Sequence, residues 1–458
     1  MKTISLIMIF AFISSSLLQA QYAFLPRVVS NSLSIAQNLE NIDFNGDGLD
    51  DILVGGEKLL WFETDSSGQF IEHEIASSPG TTITSRPKDF DNDGDIDFVS
   101  SHWTRNAISL WINDGSQNFT EQIILENFIG AHDAVIADMN NDGYNDVLCA
   151  RGDANNNGEI IYLMNNNDGS FTSTQVFTGD FCHSVDVSDF NGDGLLDITS
   201  SHVNEGVRIF LNNYDNSFTE YFYPVLSAHF VRTCDLDNDG DADVLCAALD
   251  YSVCLLENTD GTTFNKKYLS YRSALFLDPV DFNRDGHMDV LISDFSTSDI
   301  RLLQNKGDNT FSSVIMNGET FGGVSGTCAF DLGGDGDIDF ISSNWNRTSE
   351  IKVWENLEFT TTGFEHEKEI SNEFVLYQNY PNPFNPKSNI KYQIEKSGVV
   401  ELAVYDLLGR KVSTLVSEYK PAGKYEVNFD GSDLASGTYL YELKTGEQST
   451  LRKMLLVK

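Results

Sequence analysis

The chain has 458 residues and carries 69 acidic against 29 basic side chains, a formal charge of −40. Such a field repels nucleic acid and anionic membrane surfaces and suits a protein that binds cations. Aromatic residues at 12% and 35 glycines separate it from acidic disordered chains, so the charge must sit on a folded scaffold.

Lys2 precedes an apolar run from Ile4 to Phe12, and Gln19-Ala20 offers a small-residue cleavage position. This predicts a Sec signal peptide over residues 1–20 and an exported mature chain. No later segment is apolar enough to cross a bilayer, so no transmembrane segment is expected in the mature protein. Cysteines stand at 149, 182, 234, 246, 254 and 328. Export permits disulfides, and Cys246 and Cys254, on neighbouring strands, are the pair best placed for one. Cys149 and Cys246 occupy equivalent positions in apolar strands, where free buried thiols are the simpler expectation.

Between residues 21 and 360 one nine-residue pattern recurs seven times: Asp, apolar, Asn/Asp, any, Asp, Gly, two further residues, Asp, then an apolar run. The copies begin at Asp43, Asp89, Asp138, Asp189, Asp235, Asp281 and Asp331, spaced 46 to 51 residues apart. An apolar strand runs into each acidic loop (Ala134 to Ala137) and a second leaves it (Asp97 to Ser101). A third follows, such as Ile108 to Ile112, then a polar turn. A fourth begins at a Phe: Phe119, Phe171, Phe218, Phe264 or Phe311. Four short strands per unit with turn residues between them predict an all-β, seven-bladed β-propeller. The last unit is one strand short after Trp354. Phe24 to Val29 resembles the missing fourth strand, with Phe364 to Ile370 as the alternative.

A hard cation needs six to eight oxygens from a sharply bent chain, and alternate residues of a tight loop point inward. In the first copy Asp43, Asn45, Asp47 and Asp51 supply side-chain oxygens, Leu49 a carbonyl, and Gly48 the left-handed turn. The equivalent sets are Asp89, Asp91, Asp93, Asp95 and Asp97; Asp138, Asn140, Asp142, Tyr144 and Asp146; and Asp189, Asn191, Asp193, Leu195 and Asp197. They continue as Asp235, Asp237, Asp239, Asp241 and Asp243; Asp281, Asn283, Asp285, His287 and Asp289; and Asp331, Asp335, Asp337 and Asp339, where Gly333 replaces the third-position ligand. The twelfth position holds Val54, Ser100 or Cys149 instead of a bidentate Glu, so these are β-hairpin loops and not EF-hands. Packed carboxylates repel without a cation, so up to seven structural Ca2+ ions are expected to contribute stability.

Six residues before the loop stand His132, His183 and His229 in consecutive repeats. Thirteen after its start stand His102, Arg151, His202, Asp294 and Asn344. Both registers are expected near the channel mouth opposite the loops, as a candidate ligand-binding rim. Arg151-Gly152-Asp153 is a three-residue match at a hairpin and carries no functional reading alone.

The acidic repeats resemble the FG-GAP/VCBS family, the type found in integrin α-subunit propellers. The resemblance implies structural calcium sites on one face and no particular ligand.

Residues 361–372 read as a Thr- and Glu-rich linker. Residues 373–458 alternate apolar and polar positions at Ile390 to Ile394, Val399 to Tyr405 and Thr438 to Leu443, which predicts a small immunoglobulin-like β-sandwich. This segment resembles the type IX secretion C-terminal sorting domain, type A. The matching stretches run from Leu376 to Pro386, Tyr405 to Arg410, Leu434 to Tyr439 and Lys453 to Leu456. The resemblance implies recognition by the outer-membrane translocon, then cleavage with release or surface attachment. The expected function is adhesion or binding of a glycan or protein ligand at the cell surface. The alternative is a secreted polysaccharide lyase that uses the histidine-bearing rim.

Overall fold

The computed structural model describes residues 24–356 and 375–457, apart from 34, 66–67, 154, 216, 251, 295, 308–309, 318–322, 335, 345–349, 377–378, 380–383, 395–397, 406–409, 421–422, 433, 435 and 447. The signal peptide, the linker, the alternative closing strand Phe364 to Ile370 and the ligand position Asp335 lie outside the described residues. Among the described residues every regular element is a strand. No helix among them is long and apolar enough to cross a membrane. The chain divides into two compact units at Thr361/Thr362.

The first unit holds seven four-stranded antiparallel sheets. The second sheet shows the pattern: Thr82–Lys88, Asp97–His102, Ala107–Asn113 and Phe119–Leu125, hydrogen-bonded in that order. The fourth strands begin at the expected Phe residues. The first strands touch in cyclic order: Ala36–Ile42, Thr82–Lys88, Ala131–Ala137, Cys182–Ser188, Ala228–Cys234, Ala274–Val280, Val324–Phe330, and back to Ala36–Ile42. The sheets therefore stand as blades around a channel, a β-propeller. Phe24–Ser30 pairs antiparallel with Ile351–Asn356 and completes the last blade.

Burial peaks at the second strand in most blades. Second strands such as Asp51–Gly56 and Asp97–His102 are buried at every residue, because neighbouring blades cover both faces. Outer strands such as Phe119–Leu125 keep only part of their apolar side chains from water. The cores lie between blades. Ile108 and Leu110 of one blade pack with Ala134, Ile136 and Cys149 of the next.

Each first strand slips register near its start. The slip lies between Ala36 and Asn38, Thr82 and Thr84, Ala131 and Asp133, Cys182 and Ser184, Ala228 and Phe230, Ala274 and Leu277, and Val324 and Gly326. A bulge leaves its extra residue unpaired and re-aims that side chain. The bulged residues in six blades are Gln37, Ile83, His132, His183, His229 and Ser325, with Leu275-Phe276 in the other.

All six cysteines are free thiols. Cys246 and Cys254 do face one another across their strands, but no bridge joins them, and Cys149 and Cys246 are the free buried thiols expected of them. The thiols of Cys246 and Cys254 point instead at backbone carbonyls, those of Ala247 and Leu255.

The second unit is a two-sheet β-sandwich. Val375–Leu376, Lys387–Ile394 and Gly423–Asp430 form one sheet; Lys411–Lys420, Gly398–Tyr405, Gly437–Thr445 and Gln448–Leu456 form the other. Ile390, Tyr392 and Phe429 meet Val400, Leu402, Tyr441 and Met454 in one core. The described residues of the proline-rich motif include core members, Leu376 and Phe384. Asn379 donates through its backbone to the Tyr441 hydroxyl and through its side chain to Ser388. Phe384 bridges Leu456, exchanging backbone bonds with Leu455 and Val457.

Candidate functional site

The acidic loops connect first and second strands and share one internal geometry. Asp43 accepts from the amides of Gly46, Asp47 and Gly48 at 2.7, 3.1 and 2.8 Å. Asn45 accepts from Asp47, and Asp47 from Leu49, both at 2.9 Å. The same seventh-position amide bond recurs at Asp95, Tyr144, Leu195, Asp241 and His287. Gly48 and its equivalents hold φ between 86° and 98°, as the motif required. The fourth loop position is left-handed as well: Gly46, Asn92, Asn141, Gly192, Asn238, Arg284 and Gly334. Asparagine tolerates that region better than most residues and here gains a second use. Asn92, Asn141 and Asn238 each donate to the glycine carbonyl in the next blade's loop, Gly143, Gly194 and Gly286.

The ninth-position aspartates are buried and tie three segments together. Asp97 accepts from Phe90 at 2.8 Å and from Asn113 at 2.7 Å. Asp51, Asp146, Asp197, Asp243 and Asp339 repeat this knot, and Asp289 likewise accepts from the Asn305 amide. A carboxylate oxygen bonded once retains a second lone pair for an ion, but Asp146 Oδ2 accepts from both the Met139 amide and the Tyr162 hydroxyl. Burial lifts Asp51, Asp97, Asp197 and Asp289 to about 6 and Asp243 to about 7.

The fit to a divalent cation differs between loops. Ligand atoms of Asp89, Asp91 and Asp97, and of Asp235, Asp237 and Asp239, lie within 4.8 Å of one another. Asp89 Oδ1 and Asp237 Oδ1 are buried there without a hydrogen-bond partner. Burial and adjacent carboxylates raise Asp91 and Asp237, a cost that a cation would relieve. These two loops fit Ca2+. In the loops with a third-position Asn, that amide donates to the fifth carboxylate: Asn45 to Asp47, Asn140 to Asp142, Asn191 to Asp193 and Asn283 to Asp285. Those loops are closed by their own hydrogen bonds. In the seventh, Asp331 accepts from Gly336, and Asp337 is buried.

At the other end of the first strands, the bulges aim Gln37, Ile83, His132, His183, His229 and Leu275 into a cup of 350 Å³ at the channel mouth. Thr81, Trp103, Leu249 and Phe276 complete its wall. The three imidazoles stand in a row, with ring centres 4.2 and 4.7 Å apart. Trp103 meets His132 edge-on at 5.0 Å and stacks on Phe181. Burial lowers His132 to about 4, holds His183 well below the usual range and lowers His229, so all three are neutral at pH 7. The Nδ1 atoms of His132 and His183 are buried without a partner. His229 Nδ1–H donates to the Ser227 carbonyl at 2.8 Å, which leaves Nε2 as an acceptor.

The other expected rim residues do not line the cup. They end second strands, opposite the first residue of each channel strand, where neighbouring blades cover them. His102 is fully buried on Thr82 and Ser100, and His202 on Ser200 and the Asp180 carbonyl. Arg151 pairs with Glu159 and lies over Phe128. Asp294 holds Arg301, and Asn344 accepts from the Glu350 amide. In the tripeptide at 151–153, Asp153 is engaged by Asn155 and Asn157.

The first strands also carry an ion-pair layer that sequence reading did not find. Arg86 clamps Asp133 with Nη2 at 2.7 Å and Nε at 3.3 Å. Asp133 also accepts from Ser184 and from the Val185 amide of the next blade. Arg232 pairs with Glu40, and both arginines lie over the Phe230 ring. Burial lifts Asp278, in the same layer, to about 6.

A family model described as FG-GAP-like repeat matches six overlapping stretches, 43–100, 89–149, 138–200, 189–246, 235–292 and 281–342, each running from one acidic loop to the next. The chain belongs to the FG-GAP-like repeat family. A second model, the secretion system C-terminal sorting domain, matches residues 378–458, so this FG-GAP propeller is marked for export by type IX secretion. No curated protein matches. Among solved structures, PorZ is described as an essential bacterial surface component of the type-IX secretion system of Porphyromonas gingivalis. It superposes with a TM-score of 0.45 at 13% identity, over 94% of this chain and 60% of that one.

Proposed function

We propose that this is a secreted, calcium-stabilised cell-surface propeller that binds a glycan or protein ligand in the histidine-bearing cup. A Sec signal peptide at 1–20 starts its export. Recognition of residues 373–458 by the outer-membrane translocon completes it, followed by cleavage and release or surface attachment. Calcium supports the propeller from the opposite face, held best by the second and fifth loops.

The observation that carries the reading is the row of bulges. Six of the seven turn a side chain out of its ladder and into one concavity, and a register change of this kind is a device for building a site. The cup's chemistry favours binding over cleavage. A lyase needs a base and an acid working together. Here burial keeps the three imidazoles neutral, and no carboxylate is among the lining residues.

The test is a glycan and polysaccharide screen on wild type and on His132→Ala/His183→Ala, with and without calcium. Retention of a ligand without product formation, lost in the double variant, is expected. Depolymerisation that disappears in the variant would make the protein an enzyme instead.

A further inference from the structure

The cup's composition narrows its ligand to one class, and this step rests on the cup being the ligand site. We infer that it takes an electrically neutral saccharide, the terminal residue of a glycan. No charged side chain lines the cavity. An anion would meet no cation there and would approach through the field of a chain with a charge of −40. An ammonium group would find no carboxylate.

The ligand must nevertheless carry polar hydrogens and lone pairs. Three imidazoles line the cup, and His229, whose Nδ1–H is taken up by the Ser227 carbonyl, presents Nε2 as an acceptor. A polar atom that a ligand covers without bonding to it is penalised, so the ligand must offer these nitrogens partners. A hydroxyl both donates and accepts, so it satisfies an imidazole in either tautomer. A purely apolar side chain would leave these nitrogens unmet. Trp103, Phe276, Leu249, Leu275 and Ile83 supply the apolar wall that the C–H face of a sugar ring requires. At 350 Å³ the cup stands at the small end of ligand pockets, with room for roughly one or two rings. A metal ion fits less well. Among the described residues, three ligand atoms come within 4.8 Å of one another only in the two acidic loops, not among these histidines.

The mature full-length protein is titrated with the methyl glycosides of glucose, galactose, mannose and fucose. Glucuronate, galacturonate and N-acetylphenylalanine amide serve as comparison probes. The readout is the tryptophan fluorescence change that depends on Trp103, isolated by Trp103→Phe. At least one neutral glycoside is expected to give a saturable change. Its affinity should fall tenfold or more in His183→Ala and recover in part in His183→Gln, with Tm unchanged in both. Tighter Trp103-dependent binding of a uronate or of the phenylalanine amide overturns the saccharide class and leaves the cup as the site. A Trp103-dependent response to none of the probes overturns both.

Discussion

Histidines at two positions of the repeat have opposite fates for one geometric reason. A histidine in a bulge has no ladder partner and swings into the channel mouth. A residue at the end of the second strand stays in register between two blades. His102 and His202 are of the second kind, and burial holds both at about 4 against an ordinary 6.5. Unfolding exposes them, so between pH 6.5 and 4 the unfolded chain binds more protons and stability falls as pH is lowered. At pH 5 the linkage amounts to about 2 kcal/mol for each histidine. His102→Gln should therefore narrow the stability gap between pH 7.5 and pH 5 by about that amount in urea unfolding at fixed calcium. An unchanged gap would mean that His102 is not held neutral. Asp133 shows the converse, a charge kept inside by its partners. Burial opposes its charge, yet Arg86 holds it ionised and below the usual carboxylate range. Asp133→Ala strips Arg86, Ser184 and Val185 of one shared acceptor. A loss of about 3–5 kcal/mol is expected in the same assay, and a loss below about 1 would show that the channel is wet enough to hydrate the guanidinium.

At the scale of the element, the acidic loop does two jobs that its repeat disguises as one. Backbone amides bond to the first Asp of every loop among the described residues, so that part of the hairpin geometry is shared. What varies is the third position. Asp91 and Asp237 add a charge that nothing neutralises, whereas Asn45, Asn140, Asn191 and Asn283 donate to the next carboxylate. Calcium should therefore act mainly through the second and fifth loops. Asp91→Asn/Asp237→Asn is expected to remove most of the Tm gain that millimolar calcium gives, and Asn191→Ser to leave it nearly whole. A site filled to a hundred times its Kd contributes about 2.7 kcal/mol, enough to resolve by calorimetry. Equal effects from both variants would refute the division. The loops, the strand order and the closing strand were legible because each rests on local chemistry repeated in phase: Gly48 and its equivalents, the Phe that opens each outer strand, the apolar runs. The bulge was not. Gln37, Ile83, His132, Leu275 and Ser325 share a place in the fold and no common chemistry, so a one-residue slip leaves no mark in composition. The ion-pair layer was hidden by distance, since Arg232 and Glu40 lie 192 residues apart.

For the whole propeller the decisive contact joins its two ends. Phe24–Ser30 covers the edge that Ile351–Asn356 would otherwise expose, and it reaches both neighbours of its blade. The Phe24 ring meets Phe340 of the same blade at 4.9 Å and Phe282 of the preceding one at 6.2 Å. Ser30 bonds Glu72, and Arg27 bonds the Gly68 carbonyl, in the blade that follows. One strand thus fastens three blades, and it pairs residues more than 300 positions apart. Such closure forms late, because its loop entropy is met only when the ring is nearly complete. A mature chain that starts at residue 31 in place of residue 21 loses this strand and leaves a bare edge beside a buried core. It should unfold at a lower temperature and self-associate in size-exclusion chromatography, and a synthetic peptide of residues 21–31 added during refolding should restore the monomer. The propeller face bearing the cup would then recover its ligand together with the fold. A truncated chain that stayed monomeric, with an unaltered melt, would show that the ring is held by its inter-blade cores and loop bonds without the seam.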